Sequence, residues 1–206
     1  YKKKMLQAKQ DYEKKKSKRL EKEIARCNNI QMARKIQLNS AYGAIGNQYF
    51  RYYKLANAEA ITLSGQVSIR WIENRMNRYL NKILKTENED YVIASDTDSI
   101  YLNLGPLVEV VYKDREKDGS GICTFLNKVC EVEFEKYIES SYETLAKYVN
   151  AYDNKMVMKR ENIADRGIWT AKKRYILNVW DSEGVRYEEP KLKMMGIEAV
   201  KSSTPA

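Results

Sequence analysis

Between Tyr1 and Tyr42 the chain contains neither glycine nor proline, and this absence constrains the fold more than any other feature. Lys, Glu, Gln, Leu, Met and Ala fill the stretch, residues that lose little rotamer freedom in a helix, so helix is expected throughout. A single rod of that length would stand exposed on most sides. A reversal is therefore expected at the densest polar patch, Lys14-Lys15-Lys16-Ser17-Lys18. It would give two antiparallel helices whose far ends lie side by side, with Lys2 facing the neighbourhood of Lys35. Asn28-Asn29 is a competing turn site, and a turn there would break that juxtaposition.

The same stretch holds the net charge. Residues 1–35 carry thirteen Lys or Arg against four Asp or Glu, while the remainder carries twenty-four of each, so the whole +9 is concentrated at one end. Such a surplus attracts phosphates by counterion release and steers a polyanion, although a lysine-rich run is also the ordinary form of a solvated helix face. The chain has 206 residues, 43% of them hydrophobic, enough for a core in one domain or a domain with an appendage. No apolar run reaches the roughly 18 residues of a membrane span, and the charged N-terminal sequence is unlike a signal peptide, so no membrane partner is expected. There is no histidine, and Cys27, Cys123 and Cys130 have no CxxC spacing. Structural zinc, histidine-based catalysis and disulfide staples are not expected.

Downstream, Ile61, Gly65, Ile69, Ile72, Met76, Leu80 and Ile83 form a 3.6-residue stripe, the signature of a core helix ending near Lys85. Tyr91 to Ala94 and Ile100 to Leu102 are β-like runs joined by the tight acidic turn Ser95-Asp96-Thr97-Asp98-Ser99. A helix is expected from Cys123 to Tyr148, with Phe125, Val129, Val132 and Leu145 on its buried side. Strands are expected at Met156 to Met158, at Tyr175 to Trp180 and from Val185.

Two constellations point to chemistry. In Asp96-Thr97-Asp98, strand alternation would put both carboxylates on one side, where they suit hard divalent cations. A pair of such cations serves phosphoryl transfer by activating a nucleophile and stabilising a leaving group. The tripeptide alone is equally well an ordinary Asp-rich turn or the metal site of a glycosyltransferase. In the second constellation, Lys35, Asn39 and Tyr42 stand at i, i+4 and i+7 of one helix face. They present a cation for a triphosphate and a flat ring for a base.

Lys35-x3-Asn39-Ser40-x-Tyr42-Gly43, then Ser95-Asp96-Thr97-Asp98-Ser99, then Lys172-Lys173-Arg174-Tyr175 resembles the ordered B, C and KKRY motifs of family B DNA polymerases. The text around them, including NSAYGAIGNQYFRYY and EPKLKMMGIEAVKSSTP, is similar to the T4-like bacteriophage branch along nearly the whole chain. The resemblance implies an α+β fold. Residues 1–56 would form an antiparallel helical fingers hairpin with motif B, and residues 57–206 a small antiparallel palm sheet backed by helices. It implies that Asp96 and Asp98 are catalytic and hold two Mg²⁺ ions, for which Mn²⁺ substitutes. Lys2, Lys35, Asn39 and Tyr42 would bind nucleotide, and Lys172, Lys173, Arg174 and Tyr175 would grip DNA. Glu161 would match an acidic residue near the metals. The implied activity is template-directed addition of dNTPs to a primer 3′ end during DNA replication, in the cytoplasm of an infected bacterium. The implied partners are primer-template DNA, dNTP and a sliding clamp reached through a C-terminal region.

The chain also departs from the family. Motif A, with its third carboxylate, is absent, as are the Asp-Ile-Glu of the exonuclease and the thumb, and the segment from Glu161 to Trp169 is short. The expectation is a part of a longer polymerase or one subunit of a split one, inactive alone and partnered by the segment bearing motif A, exonuclease and thumb. A non-catalytic DNA-binding module would explain the charge and a DxD glycosyltransferase the aspartates, but neither explains all three motifs.

Overall fold

The helical stretch breaks where its charge is densest. In the computed structural model, which describes residues 1–113 and 118–200 apart from the side chains of Lys2, Lys3, Leu6, Gln10, Glu13, Lys14 and Val200, α1 spans Lys2–Lys14 and α2 spans Lys18–Ile45. The Lys15 N–H closes the last turn of α1 on the Asp11 carbonyl at 2.9 Å. Ser17 is extended, and its hydroxyl accepts from the Arg19 N–H at 3.3 Å, satisfying one of the donors orphaned at the start of α2. Met5 and Ala8 of α1 and Cys27 of α2 are buried. The Arg34 guanidinium stands 6.0 Å over the Tyr1 ring, so the start of α1 lies beside the residue preceding Lys35. Asn28-Asn29 passes through α2 without a turn, because the cap at Ser17 has already reversed the chain.

The chain divides into two compact units, Tyr1–Ser64 and Gly65–Ala206. In the first, α2 is exposed from Met32 to Gly43. A tight connection follows, in which Asn47 Oδ1 accepts from the Tyr49 N–H at 3.0 Å and the Lys54 N–H returns to the Ile45 carbonyl at 3.1 Å. α3, Leu55–Leu84, begins in this unit and runs into the second.

The second unit is built on the middle of the α3 stripe. Ile72, Met76 and Leu80 are fully buried, whereas Ile61 and Ile83 near the stripe's ends are exposed. Lys85 turns left-handed at φ 55° and ends the helix where the stripe ends. Around the buried trio pack Tyr91, Leu107 of α4 (Gly105–Val111), and Phe134, Ile138, Tyr142 and Leu145. These last residues lie on the expected helix from 123 to 148, which is present but not regular. α5 (Gly119–Val129) and α6 (Glu135–Tyr148) are joined without a break by a wider π turn, Cys130–Phe134. The extra residue in that turn rotates the apolar stripe. Leu145 is buried as expected, while Val132 is turned outward and Phe134 takes the interior position.

The fold is α+β. Strands β1 (Val92–Asp96) and β2 (Ser99–Leu102) form an antiparallel pair, and β3 (Asn162–Ala171), β4 (Arg174–Ser182) and β5 (Val185–Met195) form a separate antiparallel sheet in sequence order. Along β4 the side chains of Tyr175, Leu177, Val179 and Asp181 alternate inward. The strand expected at Met156 to Met158 is not formed. Met158 packs on the helical core, and Arg160 is pinned by its N–H to Glu135 Oε1 (3.2 Å) and by its guanidinium to Asn127 and to buried Asp181. The ladder with β4 therefore starts beyond them, at Asn162. Arg186 also reaches Asp181, at 3.5 Å, and bonds the Ser120 carbonyl and Thr124 hydroxyl at 3.0 and 3.1 Å, tying β5 to α5.

Cys27, Cys123 and Cys130 are free thiols in this structure. Burial raises the Cys123 thiol and pushes Cys130 up to about 11, leaving roughly one part in ten thousand of Cys130 as reactive thiolate at neutral pH. Iodoacetamide is expected to label both far more slowly in the folded chain than in denaturant. Equal rates would contradict this packing of α5 and α6. Among the described residues, no helix is long and apolar enough to cross a membrane.

Candidate active site at the aspartate turn

β1 ends on Asp96 and β2 begins on Ser99, its register partner, so Thr97 and Asp98 are the whole connection. The Asp98 N–H donates to the Asp96 carbonyl at 2.6 Å with Thr97 at φ 55°, a strained three-residue turn for a β-branched side chain. The Thr97 hydroxyl donates to Asp96 Oδ1 at 3.0 Å, and the Ser99 hydroxyl to the Asp96 carbonyl at 3.2 Å. The tight acidic turn is thus as read from the sequence, but the alternation argument for its carboxylates does not hold. Asp98 lies in the turn rather than on a strand, so turn geometry relates the two side chains.

Lys173 approaches from the β3–β4 hairpin. Its connection is Lys172-Lys173, with Lys173 at φ 62°. The Lys173 ammonium donates to Asp96 Oδ1 at 2.8 Å and Oδ2 at 3.1 Å across 77 residues of sequence. That bond holds the Asp96 carboxyl below the usual carboxylate range, with Thr97 and the charge of Lys172 acting in the same direction. Because the folded pKa is depressed, the pair adds stability above the ordinary carboxylate pKa and loses it as pH falls through the lower folded value. Beneath the turns, Tyr101 packs against Trp169 and Tyr175 at centroid distances of 5.4 and 5.5 Å. Burial raises the Tyr101 hydroxyl, and its bond to Tyr175 adds to the shift.

The other candidate residues are placed as follows. Lys35, Asn39 and Tyr42 are exposed on α2 at i, i+4 and i+7. The Lys2 side chain lies outside the described residues. Lys172 and Arg174 are exposed, Arg174 pairing with Glu198 at 3.2 Å. Tyr175 is buried in the aromatic cluster, where its ring supports the KKRY turn from within. Glu161 is exposed just before β3, its carbonyl accepting from the Glu183 N–H at 2.6 Å.

As donors, Asp96 and Asp98 suit a hard cation, being two carboxylates on one turn, with Asp96 kept ionised by Lys173. They are a partial set. Among the described residues no three Asp, Glu, Cys or His come together as a metal group, and Glu161 does not complete one. The sequence did not signal the Lys173–Asp96 pair, because Ala171-Lys172-Lys173-Arg174 lacks the Asn-Gly or Asp-Gly that marks a two-residue hairpin.

The profile of the family described as DNA polymerase family B matches residues 2–204. The chain is 45% identical over 183 residues to the DNA-directed DNA polymerase of Escherichia phage RB69, covering 85% of this chain and 20% of that protein. It is 45% identical over 193 residues to the DNA-directed DNA polymerase of Enterobacteria phage T4, covering 90% of this chain and 22% of that one. The chain thus spans about a fifth of the length of these relatives.

Proposed function

This chain belongs to DNA polymerase family B, and we propose that it is the fingers and palm part of a DNA-directed DNA polymerase that extends a primer with dNTPs. The observation that best supports this reading is the Lys173 ammonium on Asp96, which joins the KKRY and DTD motifs, distant in sequence, at one point. Residues 1–56 act as the fingers hairpin and residues 57–206 as the palm. Lys35 and Asn39, with Lys2, hold the triphosphate, and Tyr42 packs its ring on the nascent base pair. Lys172, Lys173 and Arg174 place the primer strand through its phosphates. Asp96 and Asp98 hold Mg²⁺, which when bound supplies positive charge to the attacking and leaving oxygens of phosphoryl transfer. Asp96 is ionised before any cation arrives, its charge paired with the Lys173 ammonium.

Motif A does not occur in the 206 residues, and two carboxylates are one short of the set that places both metals, so these residues alone do not polymerise. Supplying a segment that bears motif A is expected to give metal-dependent extension of a labelled primer. Extension by the purified chain alone would overturn the claim of inactivity, and failure of every completed form would overturn the polymerase reading.

Primer-template binding by the chain alone is expected to be weak and independent of sequence. Its affinity should fall roughly fortyfold between 50 and 200 mM salt, as about three phosphates neutralised by Lys172, Lys173 and Arg174 require. A salt-insensitive or sequence-specific affinity in a fluorescence anisotropy series would contradict the phosphate-gripping role.

A further inference from the structure

We propose that Gly196 is a positioning residue, setting the Lys172-Lys173 turn so that the Lys173 ammonium meets Asp96; the catalytic consequence, though not the placement, rests on the polymerase reading. Gly196 follows directly on β5 and lies at φ 63°, where L side chains are strained. A Cβ there would stand 2.3 Å from the Lys173 carbonyl oxygen and 3.3 Å from the Lys173 carbonyl carbon and Arg174 Cγ. The closest atom is backbone, so the contact is relieved only by moving backbone, that of the Lys173 turn or that of the chain at Gly196.

The turn has little freedom to absorb such a shift. Lys173 is itself left-handed at φ 62°. Tyr175 pairs with Met195, which brings Gly196 alongside the hairpin, and Arg174 pairs with Glu198 at 3.2 Å on the far side of the glycine. Displacing the Lys173 backbone breaks the two-oxygen geometry at 2.8 and 3.1 Å, since hydrogen bonds weaken steeply with distance and angle. Gly184 provides the contrast: it too has positive φ, 87°, yet a Cβ there meets nothing within 4 Å. A substitution at Gly184 therefore tests backbone strain alone, and one at Gly196 tests strain together with the close approach.

The test is reductive methylation of the 206-residue chain, with each lysine quantified by mass spectrometry and folding checked by circular dichroism. Lys173 is expected to react roughly two- to fivefold faster in Gly196→Ala than in the unaltered chain, the range set by loss of an exposed ion pair. Asp96→Asn should match that rate by removing the partner directly, and Gly184→Ala should leave it unchanged. Gly196→Asn keeps the question open to test if the alanine variant does not fold, because Asn tolerates positive φ while still carrying a Cβ. Lys35, exposed and on the other unit, is the internal reference. An unchanged Lys173 rate in the folded Gly196 variants, or an equal rise in Gly184→Ala, overturns the proposal. Failure of primer extension by the completed enzyme would overturn the polymerase reading and leave the labelling result standing.

Discussion

Nucleotide incorporation by the chain completed with its motif A segment is expected to fall by roughly a thousandfold or more in Asp98→Asn, and likewise in Asp96→Asn. The amide keeps the size of the carboxylate and removes its charge, and in the proposed function that charge is what would hold a divalent cation for phosphoryl transfer. A loss of several kcal/mol of transition-state stabilisation corresponds to about three decades or more in rate. The two variants should differ in a second measurement. Asp96 is the acceptor of the Lys173 ammonium through both oxygens, so Asp96→Asn frees Lys173, whereas Asp98→Asn leaves the pair in place. Single-turnover incorporation combined with lysine labelling separates them. Incorporation that survives either change removes that aspartate from the catalytic set.

Lys35→Ala is expected to lower kcat/KM for nucleotide incorporation by about 1.5–3 kcal/mol, the worth of a hydrogen bond to a charged group, with little change in primer-template affinity. Lys35 is exposed on the same α2 face as Asn39 and Tyr42, as a residue reaching for a phosphate should be. Lys16 is exposed as well, but lies in the α1–α2 connection at the opposite end of the hairpin from the Tyr1–Arg34 contact. Lys16→Ala should therefore give a small, salt-sensitive change in DNA association or none, with nucleotide use unaltered. Incorporation at varied nucleotide concentration measures both variants. Equal small effects would reduce Lys35 to one more solvated charge.

Much of this organisation is local and could be read before any folding. The glycine-free stretch, its lysine-rich break, the buried run Ile72, Met76 and Leu80, and the acidic turn between two short strands each depend on neighbours a few residues apart. The misreadings arose where one residue shifts a period or a remote partner intervenes. The π turn at Cys130–Phe134 rotates Val132 outward, and no composition signal marks such a turn. Met156 to Met158 has strand-like residues, but its ladder is pre-empted by the helical core and by Arg160 on Asp181.

From the sequence alone came the helical hairpin, the core stripe and the identity of the residues that carry charge to the site, because helix propensity, apolar periodicity and turn chemistry act over a few residues. Only the tertiary structure decided where those charges meet. Lys173 and Asp96 are 77 residues apart, and their bond exists because two hairpins pack through Tyr101, Trp169 and Tyr175 and because Gly196 admits the Lys173 carbonyl. Closing so long a loop for one exposed ion pair would be unfavourable by itself. The burial of aromatic surface beneath the pair offsets that entropy, and such burial is a property of the folded sheet rather than of any short stretch of sequence.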